Sequence, residues 1–145
     1  MKIHALLFTF AFATAQLLAS DGAWHTDLPK ALEQAKVEKK MVLMDFTGSD
    51  WCPPCKNLHK TVLTSEDFSK FAKDNLVLVE LDFPKSVPQT PELKAANTEL
   101  SKKFGIRGYP TIIMLDADGK ELFRKVGYSG TPAKEYVAEL AKAKK

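Results

Sequence analysis

Met44-Asp45-Phe46-Thr47-Gly48-Ser49-Asp50-Trp51-Cys52-Pro53-Pro54-Cys55-Lys56 holds the only two cysteines of the chain, two residues apart. The stretch begins inside an apolar run over 41–46, the composition of a strand buried on both faces. Gly48-Ser49 breaks that run. Pro53 and Pro54 then fit the first turn of a helix, where a missing N–H had no helical partner. Two cysteines at such a strand-to-helix junction can close a small disulfide ring. Cys52 falls at the helix start, where unpaired N–H groups and the helix dipole stabilise a thiolate. The thiolate is the attacking species in thiol–disulfide exchange. Cys55, one turn further in, is expected to be the more buried of the two and to resolve the mixed disulfide formed by Cys52.

Competing readings of the pair are weaker. A purely structural disulfide gains its stability from unfolded-chain entropy, which is small for so short a loop. Cys52, Cys55 and His59 follow a C-x2-C-x3-H spacing, but structural zinc needs a fourth ligand and no further cysteine exists. No metal and no bound cofactor are therefore expected. Lys56 stands where covalent haem attachment needs a histidine. The two prolines stiffen the ring, which favours closure. They also remove two donors from the neighbourhood of Cys52, which weakens its thiolate. The redox potential stays open between these effects.

Outward from the motif, helices and strands alternate. Asp27 caps a helix with Leu28, Ala31, Leu32 and Ala35 on one face. The helix that starts at the cysteines is expected to run to about Val62. Thr64 or Ser65 caps a shorter one carrying Phe68, Phe71 and Ala72. Residues 76–83 form a second buried strand and 84–91 a proline-rich loop. Thr90-Pro91 opens a helix in the favoured cap-then-proline order, with Leu93, Ala96, Leu100 and Phe104 sharing a face. Residues 111–115 and 121–126 are strands joined by a turn at Asp116-Ala117-Asp118-Gly119. Thr131-Pro132 starts a last helix with Ala133, Tyr136, Val137, Leu140 and Ala141 on one side. The order predicts one α/β domain: a single mixed sheet with helices on both faces.

The chain has 145 residues, 45% hydrophobic and 27% charged, a globular balance. A net charge of +3 with no basic stripe does not suit nucleic acid. Lys2 followed by a mostly apolar run over 5–19 matches a secretory leader and is short for a membrane span. Residues 1–20 are therefore expected to be a signal peptide and 21–145 the folded domain. Export implies an oxidising compartment. The C-terminal Ala-Lys-Ala-Lys-Lys is not an endoplasmic-reticulum retention tetrapeptide. The expected location is a bacterial periplasm, with no stable membrane insertion once the leader is removed.

Asp45-Phe46 leading into Trp51-Cys52-x-x-Cys55-Lys56, then Phe104-Gly105-Ile106-Arg107-Gly108-Tyr109-Pro110-Thr111, then Asp118-Gly119-Lys120 and Lys125-Val126-Gly127, resemble the thioredoxin superfamily. The resemblance spans about 24–143. Within the superfamily the motif is most similar to exported bacterial members, notably the C-terminal domain of the membrane thiol transporter that reduces periplasmic proteins. The Trp-Cys-Pro-Pro-Cys motif is also similar to that of tryparedoxins and nucleoredoxins. The resemblance implies a thioredoxin fold with Cys52 and Cys55 as the redox pair and a cis bond before Pro110. It implies that Pro110 exposes the backbone of Tyr109 to an extended substrate, with Trp51, Tyr128 and Gly127 completing the platform. Asp45 matches the buried acid that serves the proton of the inner cysteine. A carboxylate on an apolar strand is expensive unless paired or protonated. Two departures stand out. Asp45 lies seven residues before Cys52, one more than in typical thioredoxins, so Gly48-Ser49 is expected to bulge. Glu80 aligns with the family's lysine, and a second inward carboxylate would push a pKa up further. The stretch over 84–97 is also longer than in small thioredoxins.

The expected function is an exported thiol–disulfide oxidoreductase, acting as a monomer on protein or peptide disulfides, with a membrane thiol transporter as electron donor. The alternatives are an oxidant or isomerase of the same fold, and a peptide-binding module without catalysis.

Overall fold

The computed structural model describes residues 23–144. The expected leader at 1–20 lies outside them. The elements in chain order are α1 (Leu28–Glu38), β1 (Met41–Thr47), α2 (Pro53–Leu58), α3 (Glu66–Asn75), β2 (Leu76–Asp82), α4 (Pro91–Lys103), β3 (Thr111–Leu115), β4 (Glu121–Val126) and α5 (Ala133–Ala143).

The strands form one sheet in the order β2-β1-β3-β4. β1 and β2 are parallel; β1–β3 and β3–β4 are antiparallel. Every residue of β1 and of β3 is buried, as apolar runs without alternation require. Side chains leave a strand on alternate faces. Val42, Met44 and Phe46 therefore meet Leu28, Ala31 and Ala35 of α1 and the half-buried Leu100 of α4 with its following Phe104. Met41 and Leu43 meet Leu58, Phe68, Ala72, Tyr136 and Leu140 on the other side. The mixed sheet with helices on both faces is thus the observed architecture.

The helix starts follow local chemistry. Asp27, Ser65 and Thr90 accept hydrogen bonds from Lys30 N (3.1 Å), Phe68 N (3.2 Å) and Leu93 N (3.2 Å). Caps of this kind contribute about 1 kcal/mol each.

Four details differ from the sequence reading. The helix after the cysteines does not continue as an α-helix to Val62: residues His59–Leu63 form a π-helical turn. Thr64 N–H reaches back five residues to His59 O (3.1 Å), and its hydroxyl binds the carbonyls of His59 and Lys60. The widened turn keeps both Val62 and Leu63 in the core. In α4, Ala96 is exposed and Asn97 takes the buried place, because its Nδ2 donates to Asp82 O at 3.0 Å. In α5, Ala141 is exposed while Ala143 packs on the core. Finally, His25 adds a parallel bridge beside Val79, its N–H donating to Leu78 O and its carbonyl accepting from Glu80 N, both at 2.8 Å.

Candidate active site

The C-terminal end of β1 delivers the chain to the cysteines through a tight turn. Trp51 N and Cys52 N both donate to Gly48 O, at 3.3 and 2.9 Å. This turn absorbs the additional residue that sequence reasoning placed in a bulge. Gly48 is required there: a Cβ would lie 2.5 Å from the indole of Trp51.

Cys52 is the N-cap of α2 and Cys55 lies in its first turn. They form a disulfide, with Cα atoms 5.3 Å apart. Cys55 N–H donates to Cys52 Sγ at 3.4 Å, so a backbone donor of the first turn does face the sulfur despite Pro53 and Pro54. The expectation that Cys55 would be the more buried is not met: both residues are 3% exposed.

Asp45 is 4% exposed and shares the sheet face of Met41 and Leu43, turned towards the α2 side of the molecule. Its Oδ1 has no protein partner. Burial, and then the charges of Glu80 and Asp82, push its carboxyl up to about 8. Glu80 is its register partner across β1–β2 and is half-buried. Burial, with help from Asp82, raises the Glu80 pKa as well, while His59 on the π-helical turn opposes the rise. Glu80 thus adds to burial in favouring the protonated form of Asp45. Tyr136 reaches the same region from α5. Its hydroxyl is buried without a partner, and burial together with the charge of Asp45 raises its pKa.

The remaining expected residues gather beside the pair. The Tyr109–Pro110 bond is cis and Pro110 is buried. Gly127, at φ 77°, donates its N–H to Pro110 O at 2.7 Å; the left-handed backbone there favours glycine. The half-buried Trp51 meets Tyr109 edge-on, with ring centroids 5.8 Å apart. Tyr128 is instead directed to Tyr136 and to Thr131 O, away from that platform. Among the described residues, no three His, Cys, Asp or Glu side chains gather as a metal ion needs.

Sequence reasoning missed the contribution of residues 82–87. Trp51 Nε1 donates to Phe83 O (2.8 Å), and the Lys85 ammonium lies 4.0 Å from the Trp51 ring centre. Phe83 stacks at a tilt on Tyr109 (5.3 Å), and Asp82 binds Ser49 through both its N–H and its hydroxyl. These contacts join segments distant in sequence, and no local pattern announces them.

The comparisons with known proteins agree with this geometry. A thioredoxin-like domain family model matches residues 28–144. The chain is 34% identical over 132 residues to the disulfide bond reductase DsbH of Chlamydia pneumoniae, covering 91% of this chain and 78% of that one. It is 36% identical over 101 residues to the thioredoxin-related protein DsbJ of the same organism and 35% identical over 109 to the thiol:disulfide interchange protein DsbD of Cronobacter sakazakii. Those matches cover 70% and 74% of this chain but only 29% and 17% of the relatives. A solved DsbH oxidoreductase superposes with a TM-score of 0.78 at 32% identity, covering 98% of this chain and 94% of that one. The fold, the disulfide at the head of α2 and these homologues converge on one assignment: the chain belongs to the thioredoxin superfamily.

Proposed function

We propose that this chain is a thiol–disulfide oxidoreductase that reduces protein disulfides outside the cytoplasm. The observation that carries the reading is the Cys52–Cys55 disulfide at the N-terminus of α2, on the sheet face where Asp45 is buried. In the reduced protein, the Cys52 thiolate attacks one sulfur of a substrate disulfide. The S–S bond breaks, one substrate thiolate leaves, and a mixed disulfide forms. The Cys55 thiolate then attacks Cys52 Sγ and releases the second substrate thiolate. Two electrons pass to the substrate, and the protein disulfide closes.

In its ionised form Asp45 takes the proton that Cys55 must lose for the second step, and it returns one when the pair is reduced again. A carboxyl held near 8 is suited to both directions close to neutral pH. Trp51, Tyr109, Pro110 and Gly127 form the substrate seat, a reading supported by the Trp51–Tyr109 contact and the Gly127–Pro110 hydrogen bond. The chemistry runs on the cysteine pair without a bound cofactor. Electrons come from a membrane thiol transporter, in keeping with the similarity to DsbD. The apolar leader supports export to a bacterial periplasm. Among the described residues no helix is long and apolar enough to cross a membrane. A single redox pair in one domain suits a monomer.

The test is equilibration in thiol/disulfide buffers with thiol trapping of Cys52 and Cys55. A potential near about −270 mV supports a reductant; one near about −120 mV reverses the direction to an oxidant. Absence of any reversible couple removes the oxidoreductase reading. Unfolded-chain binding that survives Cys52→Ser with Cys55→Ser would then favour a peptide clamp.

A further inference from the structure

We propose that the loop joining β2 to α4, residues 83–90, is a substrate-discriminating wall of the site, and that Asp50 is the positioning residue that holds it there. The carboxylate of Asp50 accepts three successive backbone N–H groups of that loop: Lys85 (3.0 and 3.1 Å), Ser86 (2.6 Å) and Val87 (3.2 Å). Successive peptide donors converging on one oxygen form an anion-binding concavity, filled here by the chain's own side chain. These bonds hold the Asp50 carboxyl below the usual carboxylate range.

The loop has little else to order it. It has no regular secondary structure, and the side chain of Val87 at its crest is 57% exposed. Its ends are tied at Asp82, whose carbonyl accepts from both Gln89 and Asn97. Trp51 holds the loop's first residue through Phe83 O, and among the described side chains Asp50 alone accepts hydrogen bonds from the backbone of its middle. Asp50 immediately precedes Trp51, and the clasp therefore fixes the loop against the residue flanking Cys52. The outcome is a wall in which the Phe83 ring backs Tyr109 and the Lys85 ammonium lies over Trp51. A polypeptide whose disulfide reaches Cys52 past Trp51 meets this wall. A disulfide of a few atoms reaches the sulfur without it. The wall should therefore add affinity for polypeptide disulfides and leave the intrinsic thiol chemistry untouched.

The inference rests on the proposed attack by Cys52, and two substrates separate the claims. Full-length chain, regenerated by dithiothreitol and with the rate in its absence subtracted, is assayed on insulin, a protein disulfide, and on bis(2-hydroxyethyl) disulfide, which is small and neutral. Asp50→Ala should raise KM for insulin about fivefold or more with kcat nearly unchanged, the signature of lost binding common to ground and transition states. Its rate on the small disulfide should stay within about twofold of wild type. Asp50→Asn, which retains one acceptor oxygen, should fall between the two. Lys85→Met, which keeps the clasp and the backbone donors, should raise KM for insulin on its own. An unchanged KM for insulin in Asp50→Ala and Lys85→Met overturns the wall. So does an equal fall on both substrates, which would make the loop a support of the cysteines themselves. A wild-type chain that reduces neither disulfide overturns the parent reading, and the wall with it.

Discussion

Val42, Met44 and Phe46 project from one face of β1, and Met41, Leu43 and Asp45 from the other. On the first face lies an apolar cluster in which the ring centroids of Phe46 and Phe104 are 6.2 Å apart. On the second, a carboxyl and a tyrosine hydroxyl are buried without partners, and Glu80 stands half-buried opposite the carboxyl. The same strand thus builds an ordinary core on one side and a titratable defect on the side of α2. A buried polar group that lacks a partner lowers stability. The defect therefore has to be accounted for by function, and the cysteines lie on its side.

The largest effect should come from breaking the apolar face. Phe46→Ala removes a fully buried ring, and a loss of about 3–5 kcal/mol is expected in urea unfolding. The folded fraction should still cycle its disulfide, since the titratable Asp45 lies on the opposite face. A loss of cycling in the folded fraction would contradict the division of labour between the faces.

The defect should respond in the opposite direction. Asp45 has a folded pKa raised from 3.8 to about 8. Below the lower value, folded and unfolded chains both carry the proton. Between the two, the folded state retains a proton that the unfolded chain releases. The destabilisation that Asp45 contributes should therefore be absent below about pH 4 and grow as pH rises towards 8. Asp45→Asn should abolish that slope and be more stable than wild type at pH 8 by about 1–3 kcal/mol. It should also slow the step that needs Cys55 deprotonated, on the order of tenfold. A variant that is less stable at pH 8 would mean that Asp45 is charged and paired in the folded state.

A smaller effect is expected at Asn97, whose Nδ2 has its partner although its Oδ1 is buried without one. Asn97→Ala removes the bond to Asp82 O at the foot of the 83–90 loop and should cost about 1 kcal/mol, read by thermal unfolding. No change would mean that Gln89, which donates to the same carbonyl, holds the loop unaided.

The parts of this arrangement that were legible in the sequence are those written locally. Apolar runs without alternation marked β1 and β3, cap residues marked α1, α3 and α4, and the cysteine spacing marked the redox pair. Asp45 was visible as a charge in the wrong place, and Glu80 as a departure from the family's lysine. The illegible parts depend on contacts across the fold. Asn97 replaces Ala96 in the interior because a carbonyl from β2 awaits it, and helical periodicity holds no record of that. Asp50 looks like any turn acid until the loop 35 positions later folds over it. The burial of Cys52, equal to that of Cys55, is likewise not encoded by a two-residue spacing.

The finest test concerns the partner of the defect rather than the defect itself. Burial is the first cause of the raised Asp45 pKa, and Glu80 is the second. Glu80→Gln keeps the side chain's size and removes its charge, so the first cause should stay and the second should go. The upper end of the pH window over which wild type loses stability should then move down, towards the ordinary carboxylate range. At pH 7–8 the variant should be more stable than wild type by under about 1 kcal/mol. Near pH 4, with both carboxyls of the wild type largely protonated, the two chains should converge. The groups that face this pair from neighbouring elements, His59 on the π-helical turn, Asp82 on β2 and Tyr136 on α5, are unchanged by the substitution. An unmoved window would assign the Asp45 proton to burial and Asp82 without Glu80. A window displaced downwards would show that the charge of Glu80 helps to set the pH at which Asp45 gives up its proton.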